Sequence, residues 1–258
     1  MFFNGKQMGA AFFNGKQVGT AFRDGKKVFD VTMPPFHPLD LNPLAWWAFD
    51  GDLTDKSGNG YNLTSSTTPA YEPDGVNGYA VRYNTVNVTN SQFLASGASR
   101  EVSLCWWTRQ RVAMASLQYG AEHVALFGVS VSPSQGTVMR FNRNQNVNAT
   151  NPLNNGIAAW ANVNLASTQI SFDGFVTPVG VWTHLTIVVG EVSGADRVVR
   201  LYADGVLVKT GVLNAAFLST AMLTACTFTQ YGCDWCDMMI FKKALTAAEV
   251  TAIYEWRK

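Results

Sequence analysis

Asp204-Gly205 is the pair of residues that most constrains what this chain can fold into. A two-residue turn between antiparallel strands needs positive φ at its centre, which Gly takes freely and Asp tolerates. A hairpin centred there pairs Ala203 with Val206, Tyr202 with Leu207, Leu201 with Val208 and Val199 with Thr210. One face then carries Val199, Leu201, Ala203, Val206 and Val208, and the other Arg200, Tyr202, Leu207 and Lys209. That alternation belongs to a sheet with one face on a core. Just upstream, Leu185 to Val189 is almost wholly apolar or β-branched and predicts a central strand.

The same reading extends along the chain. Residues 102–108 alternate as a core strand, and further strands are expected near 124–130, 137–141, 157–163, 168–173, 181–190, 197–203 and 206–212, with a last section starting near Thr224. The stretch 142–156 is Asn-rich without aliphatic periodicity and predicts a long polar loop, a common place for function. Only 14% of residues are charged, and Gly numbers 22, so strands and turns are favoured over long amphipathic helices. A net charge of +1 gives no electrostatic case for nucleic acid. No apolar run approaches the ~18 residues of a membrane span.

Residues 1–30 form a ten-residue repeat, Phe2-Phe3-Asn4-Gly5-Lys6, Phe12-Phe13-Asn14-Gly15-Lys16 and Phe22-Arg23-Asp24-Gly25-Lys26. Each unit predicts a minimal hairpin. Hairpins this short are marginal alone. Phe2, Phe3, Phe12, Phe13 and Phe22 would then need cover from the main domain, from other copies or from a different protein, and an assembly or anchoring segment is the expectation. Pro34, Pro35, Pro38 and Pro43 make 31–43 an extended linker, and the main domain is expected over 44–258.

Several motifs in that domain carry a family likeness. Trp182-Thr183-His184-Leu185 followed by Arg200-Leu201-Tyr202-Ala203-Asp204-Gly205-Val206 resembles the middle of a laminin-G-like domain of the concanavalin A-like lectin/glucanase fold. Ala45-Trp46-Trp47-Ala48-Phe49-Asp50-Gly51, leading to Asp55-Lys56-Ser57-Gly58-Asn59-Gly60, is similar to its opening. Pro73 to Tyr83 is similar to its Gly-rich turn and next strand, and Trp235 to Val250 to its closing strand and short helix. Thr246 with Glu249 fits a capping box, and Val250, Ile253 and Tyr254 supply the helix with an apolar face. The resemblance implies an all-β, concanavalin A-like jelly-roll β-sandwich, with the hairpin repeats in front and a short C-terminal helix behind.

The chemistry points away from catalysis. Glycoside hydrolysis needs two carboxylates across a sugar. The glucanases of this superfamily carry Glu-x-Asp-x-x-Glu on one strand, and no such run occurs here. Asp234 and Asp237, three apart, would face opposite sides of a plain strand. His184 sits where the family carries a structural His. Cys105, Cys226, Cys233 and Cys236 leave buried thiols, one disulfide or a metal site open, with Cys233-x-x-Cys236 in a strand-like run. Calcium is the one expected cofactor. The loop around Asp52, Asp55 and Asn59 gathers oxygen ligands suited to a hard cation, and the resemblance adds Asp237. The competing reading is that these residues simply make turns. For sugar contacts the candidates are Tyr119, Asn144, Asn146 and Trp160.

Met1 to Lys6 carries no signal-peptide pattern. With the repeats and a fold usually met outside cells, this leads to a non-enzymatic virion protein, a bacteriophage tail fibre, spike or capsid decoration, attaching to host-surface glycan. Its expected partners are itself, as a homo-oligomer with a trimer favoured, other virion proteins and cell-surface glycan. The alternative is a secreted or cell-surface bacterial glycan-binding module, and a glycan-active enzyme comes third.

Overall fold

The computed structural model describes strand positions 2–3, 6–7, 12–13, 16–17, 20–23 and 26–30, then 36–65, 68–73, 76, 80–82, 85–94, 101–111, 122–128, 137–144, 156–163, 166–172, 177–191, 196–214, 223–230 and 233–257. Side chains are described for 36–65, 68–73, 76, 80–81, 101–111, 177–190, 198–212 and 233–257.

The chain divides into two compact units, 1–37 and 38–258. In the first, three short antiparallel pairs follow one another. They are β1 (Phe2–Phe3) with β2 (Lys6–Gln7), β3 (Phe12–Phe13) with β4 (Lys16–Gln17), and β5 (Thr20–Arg23) with β6 (Lys26–Asp30). Phe3 lies opposite Lys6, Phe13 opposite Lys16 and Arg23 opposite Lys26.

The second unit opens on a 3-10 turn, Pro38–Leu41, in which Pro38 is buried. Its strands are β7 (Ala45–Trp47), β8 (Thr64–Ser65), β9 (Ala70–Glu72), β10 (Ala80–Arg82), β11 (Thr85–Leu94), β12 (Val102–Gln110) and β13 (Glu122–Gly128). Then come β14 (Thr137–Asn144), β15 (Gly156–Val163), β16 (Ala166–Phe172), β17 (Trp182–Glu191), β18 (Asp196–Ala203), β19 (Val206–Asn214), β20 (Leu223–Gln230), β21 (Cys233–Phe241) and the helix α1 (Ala247–Arg257). One sheet runs β19-β18-β17-β12-β21-β10-β9, with β7 also on β21, and the other runs β16-β15-β14-β13-β20-β11-β8. All named pairs are antiparallel, and the architecture is the expected concanavalin A-like sandwich with one short C-terminal helix.

The first sheet's inner face is built by alternation. Leu104 and Trp106 from β12, Leu185 and Ile187 from β17, Val199 and Leu201 from β18, and Trp235 and Ile240 from β21 all enter one core. Two large rings, Trp47 and Trp235, are fully buried in it. The opposite face carries Trp107, His184 and Cys236, and α1 packs against it through Tyr254, whose ring lies 5.6 Å from Trp107. The helix starts on the expected box. Glu249 N donates to Thr246 Oγ1 at 3.2 Å, and Thr246 N donates to Glu249 Oε2 at 2.8 Å. Val250 and Ile253 are buried beneath it.

The Asp204-Gly205 turn forms with both φ positive, at 49° and 78°. Ala203 faces Val206 and Tyr202 faces Leu207 as expected, but Leu201 then pairs with Lys209 and Val199 with Gly211. A bulge at Val208 inserts one residue and shifts the register. The expected core face holds on β18, where Val199 and Leu201 enter the core with Ala203 packed against it, and is corrected on β19. Val206 is 68% exposed, because β19 is an edge strand beyond the core, whereas Tyr202 on the other face is buried.

A second bulge shapes the centre. β21 is buried along its whole length and pairs with β12 throughout, Trp107 facing Cys236 and Cys105 facing Met239. On its other side β10 pairs with Asp234 and Trp235, and β7 with Met238 to Ile240. Asp237 lies at this handover with φ 46°, a left-handed conformation uncommon for a residue with a Cβ. The extra residue switches the core-facing parity from Trp235 to Met238 and Ile240.

Candidate functional site

The loop after β7 is organised by one carboxylate. Asp55 Oδ1 accepts from Trp46 N at 3.0 Å and Ser57 N at 2.9 Å. Its Oδ2 accepts from Ser57 Oγ at 2.8 Å and Tyr61 N at 3.0 Å. A carboxylate offers about four lone-pair sites, so Asp55 is saturated. Asn59 Nδ2 donates to Pro43 O at 3.2 Å and Leu44 O at 3.0 Å, tying the loop tip to the segment before β7. Gly51, Gly58 and Gly60 take positive φ at the bends between these anchors.

Asp52 accepts from Thr54 N at 2.9 Å and from Thr54 Oγ1, and it pairs with Lys56 Nζ at 3.0 Å. The Thr54 hydrogen bonds and the Lys56 ammonium hold its pKa below the usual carboxylate value. Asp237 Oδ1 accepts from Trp46 Nε1 at 3.1 Å and from Arg257 Nη2 at 3.3 Å. Its Oδ2 is buried without a partner. Burial pushes the Asp237 pKa up to about 6, against the pull of Arg257 and Trp46.

These partners decide the fit to calcium. A hard cation needs six to eight oxygen ligands, whereas Asp55 is saturated, Asp52 is held by Lys56 and Thr54, and Asp237 Oδ1 is held by Trp46 and Arg257, so this set keeps only Asn59 Oδ1 and the buried Asp237 Oδ2. Among the described residues no three His, Cys, Asp or Glu side chains group as a metal site would require. The set Asp52, Asp55, Asn59 and Asp237 does not fit the ion.

The remaining expectations divide by position. Tyr119 and Asn146 lie outside the described residues. Asn144 ends β14 opposite Gly156, and Trp160 lies in β15 opposite Arg140, with their side chains outside the description. Phe2, Phe3, Phe12, Phe13 and Phe22 are strand positions of the first unit, again with side chains outside it. Cys105 and Cys236 are free, buried thiols, Cys233 is buried beside them in β21, and burial pushes Cys105 up to about 12. Asp234 is taken by Arg109, whose Nε and Nη2 reach its Oδ2 at 3.0 and 2.6 Å. His184 is buried against Trp107 at 5.2 Å, and burial lowers its pKa to about 3, so the ring is neutral. None of these groups is presented as an acid–base pair.

Sequence reasoning missed a cleft of about 390 Å³ beside the Asp55 loop. Its apolar floor is Leu39, Pro43 and Leu44, and its polar rim is Asn42, Ser57, Asn59 and Lys242. Pro38 to Pro43 had the composition of a linker, but they fold back as the 3-10 turn and one wall of the cleft. Asn42 closes that turn at φ 52°, its N donating to Leu39 O at 3.0 Å. Asn-Pro at 42–43 was the one local signal of a turn there. The volume lies within the ~300–1,000 Å³ of small-ligand pockets.

Comparison with known proteins gives one family. Residues 77–251 match the concanavalin A-like lectin/glucanases superfamily. No curated protein matches. Among solved structures the chain is similar to the botulinum neurotoxin type G receptor binding domain, with TM-score 0.58, 17% identity and 83% of this chain aligned to 51% of that one. It is also similar to a botulinum neurotoxin type C structure titled for cell entry dependent on two ganglioside molecules, with TM-score 0.62, 14% identity and coverage of 85% and 52%. A third is domain 4 of AbnA, an extracellular arabinanase from Geobacillus stearothermophilus, in complex with arabinotriose, with TM-score 0.55, 18% identity and coverage of 83% and 98%. The chain thus spans about half the length of the neurotoxin structures and nearly all of the arabinanase domain.

Proposed function

This chain belongs to the concanavalin A-like lectin/glucanases superfamily, and from that membership we propose that it binds glycan without cleaving it. One observation carries the reading. The cleft beside the Asp55 loop offers amide, hydroxyl and ammonium groups over an apolar floor, with no Asp or Glu among its described lining residues. Such a surface can hold a sugar and has no acid–base pair to hydrolyse it. Two of the solved structures it resembles, a neurotoxin receptor binding domain and an arabinanase domain in complex with arabinotriose, support the same direction.

Within that reading, the protein is a virion component, a phage tail fibre, spike or capsid decoration, that attaches to host-surface glycan. Its Phe-Asn-Gly-Lys repeats anchor it to other virion proteins or join it to its own copies, with a trimer favoured. The support is the repetition itself, three paired strand segments in sequence, each too small to stand alone. A second reading has its own observation. The arabinanase domain is covered over 98% of its length, which favours a binding module of an extracellular bacterial protein.

The test is depletion of the full-length protein by a panel of insoluble polysaccharides, with reducing ends assayed in the same tubes. Retention on some polysaccharides with no new reducing ends supports glycan binding. Release of reducing ends would replace the reading with an enzyme.

A further inference from the structure

We propose that the cleft walled by the Pro38–Leu41 turn, the Ser57–Asn59 loop and Lys242 selects a sugar that carries a carboxylate, such as a uronic acid. This rests on the glycan-binding reading above and names its ligand class.

The cleft divides its work chemically. Leu39 is 40% exposed and, backed by the buried Pro43, presents an apolar surface of the kind that packs on the C–H face of a sugar ring. The wall opposite is fixed. Asn59 Nδ2 is spent on Pro43 O and Leu44 O, and Ser57 Oγ donates to Asp55 Oδ2 at 2.8 Å. That leaves Asn59 Oδ1 and the Asn42 amide for sugar hydroxyls, on a frame that needs no reordering when a ligand enters.

The charge decides the class. Lys242 is exposed on the rim and makes no ion pair among the described residues, whereas its neighbour Lys243 is held by Glu249 at 2.7 Å. With no Asp or Glu among the described lining residues, the rim carries one unbalanced positive charge. A ligand bearing a carboxylate gains a charge-assisted hydrogen bond there, and a neutral sugar of the same shape does not.

The experiment uses the full chain and matched hexose pairs: glucuronate with glucose, galacturonate with galactose and mannuronate with mannose. Binding is read by saturation-transfer NMR and titration, with inorganic phosphate as a plain anion. The inference expects each bound uronate to exceed its neutral partner by roughly tenfold, the scale of one charge-assisted bond. Lys242→Gln should erase that difference, and Lys242→Arg should restore it. Equal binding within every pair, or uronate binding untouched by Lys242→Gln, overturns the inference and leaves glycan binding standing. Phosphate competing as well as the uronates overturns it in favour of a simple anion site. No binding of any sugar here or in the polysaccharide panel overturns both readings.

Discussion

Arg257, in the last turn of α1, reaches back to Asp237 in the bulge of β21, with Nη2 3.3 Å from Oδ1. The contact is framed by rings. Trp46 donates to the same oxygen and packs edge-on against Trp256 at 5.4 Å, and the Arg257 guanidinium lies 3.7 Å over Trp256. One buried carboxylate therefore ties together the strand before the Asp55 loop, the central strand and the C-terminal helix.

That carboxylate gives a pH signature. Folded Asp237 holds its proton to about pH 6, whereas an unfolded Asp releases it near pH ~3.9. Between those values the folded state binds more proton, so this group adds stability as pH falls. His184 does the reverse, since its folded pKa of about 3 lies below the unfolded ~6.5, and stability is lost as pH falls. Each slope is about 1.4 kcal/mol per pH unit, and they oppose each other between about pH 4 and 6. Urea midpoints should be nearly flat there for the native protein and fall on acidification for Asp237→Asn. A variant profile parallel to the native one would refute the assignment.

Asp55 is the loop's hub, and its loss should be felt beyond the loop. Asp55→Ala leaves the N–H groups of Trp46, Ser57 and Tyr61 without their acceptor, at a cost of about 2–4 kcal/mol by the usual penalty for several lost hydrogen bonds. Chemical denaturation measures it. Because the loop is held by its own N–H donors, excess calcium or a chelator should leave Tm unchanged, whereas a bound ion would raise it with concentration.

Gly205 is constrained twice. Its φ is 78°, and a Cβ there would meet Tyr254 Cδ1 at 3.1 Å and Thr251 Cα at 3.4 Å. Gly205→Ala should cost about 1–2 kcal/mol or more and loosen α1. Asp204→Asn should be mild, since Asn accepts positive φ and keeps an oxygen for His184 N, now 2.9 Å from Oδ1. Thermal unfolding of the two variants separates these outcomes.

The legible parts of the fold were those fixed by local chemistry. Asp204-Gly205 centred its hairpin, Thr246 and Glu249 capped the helix, and the apolar Leu185 to Val189 run marked a central strand. The bulges at Val208 and Asp237 were not legible, because neither position carries the Gly that usually announces one. Plain alternation therefore carried Val208 to the core and gave Asp237 no bend. The cleft escaped for another reason. Leu39, Asn59 and Lys242 are far apart in sequence and meet only after β7 pairs with β21.

Assembly is tested by truncation. Removing residues 1–30 should leave the 38–258 unit, which has its own core, folded and soluble, while the solution mass of the full chain falls from oligomer to monomer. Equal oligomeric mass per chain with and without the repeats, by light scattering, would remove their anchoring role.

Glycan recognition is the central claim, and a printed glycan array probed with labelled, folded full-length protein tests it most directly. The account predicts retention on a defined subset of glycans, enriched in those with a carboxylate and weakened by salt. Uniform absence of signal across the array would contradict it.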